Sequence, residues 1–256
     1  MRVFAEALSM PKAGNRESEY EDAYWPRRPI EGKTCSRFAV ADGATETSFS
    51  SIWAKQLVRA YCYGDFDKLP ELEWLSKLRR KWWSIVRRRP LPWYAEQKLE
   101  SGTFAAIVGL TLNSNSADSE RCTWHAEAIG DSCLFQRRGS DLITKFPIRA
   151  SQDFTNSPLL LSSQLANDSD VASVASVGGE CQRGDDFYLM TDAIAAWFLR
   201  AVECGGAPWE IVRDLAGERG RPIPPDLKGF REWVERTRKE GLMRNDDVTL
   251  YRIEIV

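Results

Sequence analysis

Aspartates stand at the ends of three separate apolar runs in this 256-residue sequence, and a fourth lies at a bend. Asp42 and Asp192 each follow such a run, Asp246 precedes the last one, and Asp131 comes directly after Gly130. One aspartate in a turn is common, but carboxylates presented together at strand ends suit hard divalent cations. Mg²⁺ and Mn²⁺ take oxygen ligands and keep several waters, so a few carboxylates and a backbone carbonyl suffice. The pattern therefore indicates a site for Mg²⁺ or Mn²⁺.

The stretch Arg37–Ser48 gives one of these aspartates a definite local setting. Four apolar residues, Phe38–Ala41, run into Asp42 without polar alternation, which is typical of a strand buried on both faces. Gly43 has no Cβ and lets the backbone approach a ligand closely. The segment alone leaves two interpretations open: an aspartate that caps a strand-to-helix turn, or a functional carboxylate at a strand end.

The composition limits the partners that the protein can have. The net charge of −2 argues against a dominant electrostatic affinity for nucleic acid or anionic membranes. No apolar run approaches the roughly 18–20 residues of a membrane span. The N-terminus lacks the sustained apolar segment of a secretory signal. We therefore expect a cytoplasmic protein with no membrane or nucleic-acid partner, and a monomer.

The metal-binding and redox chemistry of cysteine and histidine is also limited. The six cysteines are scattered, none forms a C-x-x-C pair, and His125 is the only histidine. A zinc site built on these residues is therefore disfavoured, and reduced thiols are expected. His125 lies within an apolar strand pattern, which favours a core or sheet-surface histidine over a catalytic one.

The elements that must position the aspartates are strands in consecutive runs, with helices grouped between them. Strands are predicted over residues 2–8, 38–41, 103–112, 123–136 with a bend at 130–131, 142–148, 187–191 and 248–256. Helices are predicted over residues 49–61, 69–89, 194–202, 209–216 and 230–240. This order favours an α+β fold, because a doubly wound sheet would alternate strands and helices strictly. We expect one domain, residues 1–256, with a helical Trp- and Arg-rich segment at about 65–100 and a weakly patterned region at about 150–184.

Short motifs throughout the chain resemble those of the metal-dependent protein phosphatases of type 2C (the PPM family). The chain resembles a divergent, bacterial-like member of that family. In chain order the motifs are Arg16 with Glu21–Ala23, Val40–Gly43, Ser101–Thr103, Gly130–Ser132, Thr191–Ala193 and Asp246–Thr249. The resemblance implies a four-layer α-β-β-α sandwich, in which two antiparallel sheets lie face to face and helices pack outside each.

The resemblance also implies a site for two Mn²⁺ or Mg²⁺ ions. Asp42 would bridge the two ions, and the Gly43 carbonyl would bind one of them through a water. Asp22, Asp192 and Asp246 would complete the two coordination shells.

Two further residues receive roles from the resemblance. Asp131 would help to hold a third, more weakly bound ion, and Arg16 would bind the substrate phosphate, a task that suits a planar fork of donors. The implied activity is hydrolysis of phosphoserine or phosphothreonine in a phosphorylated protein, by a metal-activated water that attacks phosphorus in line.

Several departures from the family pattern keep a second function open. Ala44–Glu46 stands where the family usually has glycines or a histidine, Ala193 replaces a glycine, and Asp247 replaces an asparagine. Arg16 lies one residue further from the acidic pair than in the family. The alternative function is a regulatory binding module that keeps the fold with weak or no turnover.

The segment Lys77–Arg89 has seven basic residues and no acidic one. Its tryptophans and cations could bind an acidic partner or nucleic acid. We favour the other interpretation, an amphipathic helix whose apolar side packs on the core and whose basic side is solvated. Residues 150–184 occupy the place where the family has a mobile flap, so both segments are candidates for selecting the substrate.

Overall fold

Two antiparallel sheets lie face to face in this protein, with helices on the outer side of each. The computed structural model describes residues 2–26, 35–44, 49–68, 71–89, 102–113, 121–155, 157–164, 174–216 and 227–256. The strands are β1 (Val3–Met10), β2 (Ala23–Trp25), β3 (Cys35–Gly43), β4 (Phe104–Asn113), β5 (Arg121–Ile129), β6 (Cys133–Arg138), β7 (Asp141–Phe146), β8 (Leu161–Ser162), β9 (Ala175–Gln182), β10 (Asp186–Met190) and β11 (Val248–Ile255). The helices are α1 (Ser50–Tyr63), α2 (Asp65–Lys68), α3 (Glu71–Val86), α4 (Asp192–Glu203), α5 (Pro208–Ala216) and α6 (Leu227–Lys239), with short 3₁₀ helices at Glu17–Glu19 and Ser151–Asp153.

The strand order explains how distant parts of the chain meet. The first sheet has the order β1-β11-β10-β6-β7, so the first and last strands of the chain are neighbours. The second sheet has the order β2-β3-β4-β5-β9, and β8 pairs with β4. β5 and β6 are joined at Gly130 and Asp131 but belong to different sheets, so the predicted bend is the crossing between the two sheets.

Three apolar cores separate the four layers. The core between the sheets includes Phe38, Val40, Leu189, Tyr251 and Ile253. α4, α5 and α6 cover the outer face of the first sheet, and α1 and α3 cover the outer face of the second. The predicted α+β class and the four-layer α-β-β-α sandwich are confirmed.

The central strand β3 follows its sequence pattern closely. Phe38–Ala41 are each 0% exposed, because one face of the strand meets the other sheet and the opposite face meets helices. β11 differs from its alternating pattern, since all eight of its residues are buried, Arg252 and Glu254 included. One face of β11 meets helices and the other meets the second sheet, so alternation in the sequence does not expose either face.

The weakly patterned region at 150–184, for which the sequence predicted no strand, contains two. It contains an edge strand, β9, as well as the short β8. β9 exposes most of its side chains, and an edge strand of this kind has little apolar alternation to reveal it. The predicted features at residues 45–48, 90–101, 165–173 and 217–226 lie outside the described residues.

α3 has the amphipathic character that we favoured for the basic segment. Trp74, Trp82 and Val86 are buried, whereas Lys77 and the arginines at 87–89 are exposed. Arg79 is an exception, because it is only 1% exposed and its Nε donates to the Ser162 carbonyl at 3.1 Å. Among the described residues, no helix has both the length and the apolar composition needed to cross a membrane.

Two cysteines correct the expectation of reduced thiols throughout. Cys122 in β5 and Cys181 in β9 lie directly opposite each other and form a disulfide, with 5.1 Å between their Cα atoms. Their separation of 59 residues hides this pairing in the sequence. Cys62, Cys133 and Cys204 are free thiols. His125 lies on the surface of β5 with its side chain 48% exposed, as a sheet-surface histidine should.

Candidate active site

Asp42 lies near the end of β3, beside the segment that leads into β2. Ala41 pairs with Ala23 across the two strands, which brings Asp22 alongside Asp42. The two carboxyl groups are near enough to interact electrostatically. Asp42 is half-buried, whereas Asp22 is 0% exposed. Two acidic side chains that share a buried position must share a proton or receive a cation, because isolated buried charges are costly.

Asp22 is held by hydroxyl groups from the first sheet. The Thr249 hydroxyl donates to its Oδ2 at 2.7 Å, and the Thr191 side chain also hydrogen-bonds to it. Thr191 and Thr249 are themselves joined, since the Thr249 amide donates to the Thr191 hydroxyl at 3.0 Å. The Oδ1 of Asp22 is buried and has no hydrogen-bond partner within the described part of the chain. One oxygen is therefore fixed, and the other is available to a ligand.

Asp192 begins α4 and pairs with an arginine that the sequence analysis did not single out. The Arg244 guanidinium donates to its Oδ2 in an ion pair. The Oδ1 of Asp192 is buried and, among the described residues, lacks a partner. Asp192 also lies in the first turn of its helix, where the helix dipole favours a negative charge.

Asp246 and Asp247 differ sharply in their surroundings. Asp247 is 4% exposed, and its two oxygens accept the backbone amides of Lys12 at 2.7 Å and Glu21 at 2.6 Å. Asp246 is half-buried, and the Arg238 guanidinium donates to its backbone carbonyl. Asp247 thus fixes the N-terminal segment, whereas Asp246 Oδ1 accepts the amide of its neighbour Asp247, at 3.0 Å.

Asp131 lies at the crossing between the sheets and is 5% exposed. Gly130 before it has a φ of +93°, and a Cβ there would lie 2.6 Å from the Ala106 Cβ. The crossing therefore requires glycine both for its backbone conformation and for space. The turn brings Asp131 close enough to Asp42 and Asp246 for their charges to interact. Beyond the effect of burial, the Asp131 charge raises the pKa of Asp42, and the Asp246 charge raises the pKa of Asp131.

Four of the predicted aspartates form one group of interacting carboxylates. Burial raises the pKa of Asp42 well above its usual value, and Asp22, Asp131 and Asp246 raise it further. Burial also raises the pKa of Asp22, followed by repulsion from Asp247 and, more weakly, Asp246. The pKa of Asp131 is raised by burial and by Asp246, although Arg244 opposes the rise. We call Asp22, Asp42, Asp131 and Asp246 the carboxylate group.

The chemistry of the carboxylate group fits a hard divalent cation. Its donors are all oxygens, its negative charge is only partly compensated, and two buried oxygens nearby, Asp22 Oδ1 and Asp192 Oδ1, lack partners among the described residues. Over the same residues, no three or more His, Cys, Asp or Glu side chains are arranged so that they could hold a metal ion. Asp192 pairs with Arg244.

Gly43 is required for packing between two chain segments. A Cβ at this position would lie 2.7 Å from the Glu21 carbonyl oxygen and 2.9 Å from the Ser50 Cβ. The glycine thus permits the close approach of the Asp22 segment to the end of β3. Its neighbour Ala44 donates its amide to the Phe104 carbonyl at 3.0 Å, which continues the strand pairing past the glycine.

Arg16 lies outside the carboxylate group. It is exposed at the start of the 3₁₀ helix Glu17–Glu19, and its amide donates to Glu19 Oε2 at 2.8 Å. Its side chain lines a cleft between the 10–17 segment and α6. The structure therefore brings Asp22, Asp42, Asp131 and Asp246 together. Asp192 is connected to them by Arg244, which pairs with Asp192 and interacts with Asp131. Arg16 lies in the wall of the cleft.

Comparison with known proteins places this arrangement on a known fold. No protein-family model matches the sequence, and no curated protein matches it. The structure resembles the catalytic domain of the serine/threonine protein phosphatase PstP in complex with two manganese ions, with a TM-score of 0.54, 15% identity and coverage of 100% of this chain and 99% of that one.

Two other solved structures give the same result. One is the PPM Ser-Thr phosphatase MsPP from Mycobacterium smegmatis in complex with cacodylate, with a TM-score of 0.53, 13% identity and 98% coverage of both chains. The other is the photosystem II phosphatase PBCP, with a TM-score of 0.55, 12% identity and 99% coverage of both chains. The chain therefore has the fold of the PPM-type serine/threonine phosphatases over its whole length.

Proposed function

We propose that this protein is a PPM-type enzyme that hydrolyses phosphoserine and phosphothreonine esters in proteins and depends on Mn²⁺ or Mg²⁺. The observation that supports this most is the carboxylate group, in which four acidic side chains from separate segments share one partly buried position. The likeness to phosphatases at low identity supports the fold, and the carboxylate group connects that fold to metal-dependent chemistry.

The proposed metal ligands are residues whose oxygens are buried or uncompensated. Asp42 would lie between two ions, Asp22 and Asp192 would offer their unpartnered Oδ1 atoms, and Asp246 and the Gly43 carbonyl would add further oxygens. Divalent cations supply Lewis-acid chemistry, since they acidify water and neutralise charge on phosphoryl oxygens. Asp131 is the proposed ligand of a third ion.

The other residues of the site orient these ligands. The hydroxyls of Thr191 and Thr249 hold one oxygen of Asp22, and the other oxygen is buried without a partner among the described residues. Asp247 holds the amides of Lys12 and Glu21 and thereby fixes the segment that carries Asp22. Arg16 is the proposed phosphate-binding residue, because its guanidinium can donate two parallel hydrogen bonds to a phosphate.

Hydrolysis of a phosphothreonine peptide in the presence of Mn²⁺ tests the proposal. We expect activity that EDTA abolishes and that Asp42→Ala reduces by at least about a thousandfold, as losses of groups that stabilise the transition state do. Asp141→Asn, a change at an exposed position in β7, is the matched control and should keep full activity. Full turnover in EDTA, or in Asp42→Ala, would refute the mechanism.

One observation favours a second candidate, a regulatory binding module with this fold but without turnover. Arg244 occupies Asp192, and Ala193 follows it where a glycine is usual in the family. Calorimetry with Mn²⁺ separates the candidates, because the enzyme should bind two ions per chain and a binding module need bind none. Metal binding without hydrolysis of any phosphopeptide would favour the module.

We further propose one domain, residues 1–256, that acts as a monomer in the cytoplasm. The pairing of β1 with β11 supports one domain, since both ends of the chain lie in the same sheet. The free thiols of Cys62, Cys133 and Cys204 favour a reducing compartment. The disulfide Cys122–Cys181 favours an oxidising one, because disulfides persist where thiols are not kept reduced. Thiol titration of the denatured protein, purified under anaerobic conditions, decides between four thiols with the disulfide and six without it.

A further inference from the structure

A cleft of about 510 Å³ lies between the segment after β1 and helix α6, and one of its lining residues, Arg238, donates to the backbone carbonyl of Asp246. Its lining residues are Met10, Pro11, Lys12, Ala13, Gly14, Asn15, Arg16, Glu17, Arg231, Glu235, Arg238 and Lys239. We call this space the basic cleft, because five of these side chains are cationic and two are acidic. Its size is in the range of pockets that bind small ligands or a few side chains.

The cations on one wall are held by a rigid element. Arg231, Glu235, Arg238 and Lys239 follow each other at helical spacing and so share one face of α6. The opposite face of the helix packs Phe230, Trp233 and Val234 into the core. The positions of the cations relative to the sheet are therefore set by a packed helix.

Arg238 connects the basic cleft to the carboxylate group. Its guanidinium donates to the Pro11 carbonyl at 3.2 Å and to the backbone carbonyl of Asp246. One arginine thus ties together both walls of the cleft and one of the proposed metal ligands. A chain whose phosphorylated residue lies over the carboxylate group would place its neighbouring residues along this cleft.

The charge of the basic cleft is unusual for this protein. The whole chain has a net charge of −2, yet cations outnumber acids in the cleft. Arg231 pairs with Glu17, and Lys12 approaches Glu21 at 3.9 Å. Within the described residues, neither Arg16 nor Lys239 forms an ion pair. A concave surface with excess positive charge attracts anionic ligands and raises their association rate.

We propose that the basic cleft binds acidic residues next to the phosphorylated residue of the substrate, so that the enzyme prefers phosphoproteins with aspartate or glutamate at that side. This inference rests on the proposed phosphatase function and names the class of its substrate. None of the described residues that line the cleft is aromatic, so it offers no platform on which nucleic-acid bases could stack. Glu17 and Glu235 also interrupt the positive surface that a nucleic-acid backbone would follow.

Two phosphothreonine peptides that differ only in their flanking residues test the inference. One has Asp and Glu on both sides of the phosphothreonine, and the other has Ser and Gln. We expect kcat/KM of the wild-type protein to be about tenfold higher for the acidic peptide at low salt, with the ratio falling as salt is added. A ratio near one would overturn the inference.

Substitutions on α6 assign the preference to the cleft. Arg231→Gln and Lys239→Gln should each lower the ratio of acidic to neutral kcat/KM by about threefold, as rim charges do, and the double variant should nearly remove it. Arg236→Gln is the matched control, because Arg236 is exposed on the same helix but does not line the cleft. An unchanged ratio in the double variant, or an equal loss in Arg236→Gln, would overturn the inference.

A binding measurement separates the cleft from the phosphatase function. Fluorescence anisotropy with a labelled, unphosphorylated acidic peptide reports on the cleft without any turnover. Suppose that no phosphopeptide is hydrolysed, but that the labelled acidic peptide binds to the wild type and not to the double variant. The proposed activity then fails, and the acidic-ligand site stands. Suppose instead that hydrolysis occurs, but that the wild type and the double variant bind the acidic peptide with equal affinity, and likewise bind a labelled oligonucleotide with equal affinity. The activity then stands, and the assignment of the acidic-ligand site to the cleft fails.

Discussion

Asp246 and Asp247 are adjacent residues with different structural roles. Asp247 accepts two backbone amides from the N-terminal segment, whereas Asp246 adds negative charge to the carboxylate group. The first contributes to folding, and the second costs stability until a cation neutralises it. Two residues of the same type therefore respond differently to the same substitution.

We predict that Asp247→Ala lowers the free energy of unfolding by about 2–4 kcal/mol, because it leaves two amides without their charged acceptor. Urea denaturation in EDTA measures this loss. Asp246→Ala is the matched control and should cost clearly less under the same conditions, because it also removes repulsion with Asp42 and Asp22. Equal losses in the two variants would contradict the assignment of roles.

Arg244 competes with any cation for Asp192. Its guanidinium is 45% exposed and pairs with a carboxylate that is 12% exposed, so the ion pair is partly screened by water. A metal ion on the other oxygen of Asp192 would share the carboxylate with this guanidinium, and the repulsion between the two positive charges lowers the apparent affinity for the metal.

We predict that Arg244→Gln raises the affinity for Mn²⁺ by about threefold to tenfold, which corresponds to the loss of a partly exposed ion pair. Isothermal titration of metal-depleted protein measures the change. Arg213→Gln, at an exposed position of α5, serves as control and should bind Mn²⁺ as the wild type does. Unchanged binding in Arg244→Gln would contradict the competition, and weaker binding would show that this arginine supports the metal site.

At the scale of elements, β1, β10 and β11 share a buried group of charges. Arg252 of β11 contacts Glu6 of β1 at 3.4 Å, Asp186 of β10 at 3.1 Å and Glu254 of its own strand at 3.2 Å. Three carboxylates thus surround one guanidinium. Burial raises the pKa of Glu6 to about 7, and the nearby Arg252 only partly opposes the rise.

This pKa makes the pairing of β1 with β11 sensitive to pH. An acid whose pKa is raised in the folded state stabilises the protein at low pH, and the contribution is lost as pH rises through the folded pKa. For Glu6 the loss falls between pH 4.5 and about 7. We predict that Glu6→Gln is more stable than wild type by about 1–3 kcal/mol at pH 8 and nearly equal to it at pH 4.5.

Chemical denaturation at a series of pH values measures this difference. Glu210→Gln, at an exposed position of α5, provides the control and should leave the pH dependence of the wild type unchanged. The prediction fails if Glu6→Gln loses stability relative to wild type as pH rises from 5 to 8.

Helix α6 shows how one element can serve both the core and a surface. Its apolar face packs against the first sheet, and its charged face lines the basic cleft. Arg238 lies between these two faces, and its guanidinium donates to the backbone carbonyl of Asp246. A change in the position of this helix would therefore affect both the cleft and the carboxylate group.

At the scale of the whole molecule, the site forms where five separate segments meet. These are the segment before β2, the end of β3, the crossing between β5 and β6, the start of α4, and the segment before β11. The face-to-face arrangement of the two sheets brings these strand ends to one side. The carboxylate group thus depends on the sandwich as a whole, since each sheet alone contributes only part of it.

Local pattern was enough to predict the features that depend on short range. The apolar run Phe38–Ala41 predicted a buried strand, and all four residues are buried. The order of strands and helices predicted the α+β class. These predictions succeed because burial and strand alternation leave a direct trace in consecutive residues.

Only the tertiary structure decided which side chains meet. The bonds of Asp247 to Lys12 and Glu21 span 235 and 226 residues, and the pair of Arg244 with Asp192 spans 52. The disulfide between Cys122 and Cys181 and the basic cleft also join segments that are far apart in sequence. Such contacts are set by how the sheets and helices pack. The residue types along the chain therefore determined what chemistry is available, and the packing determined which groups carry it together.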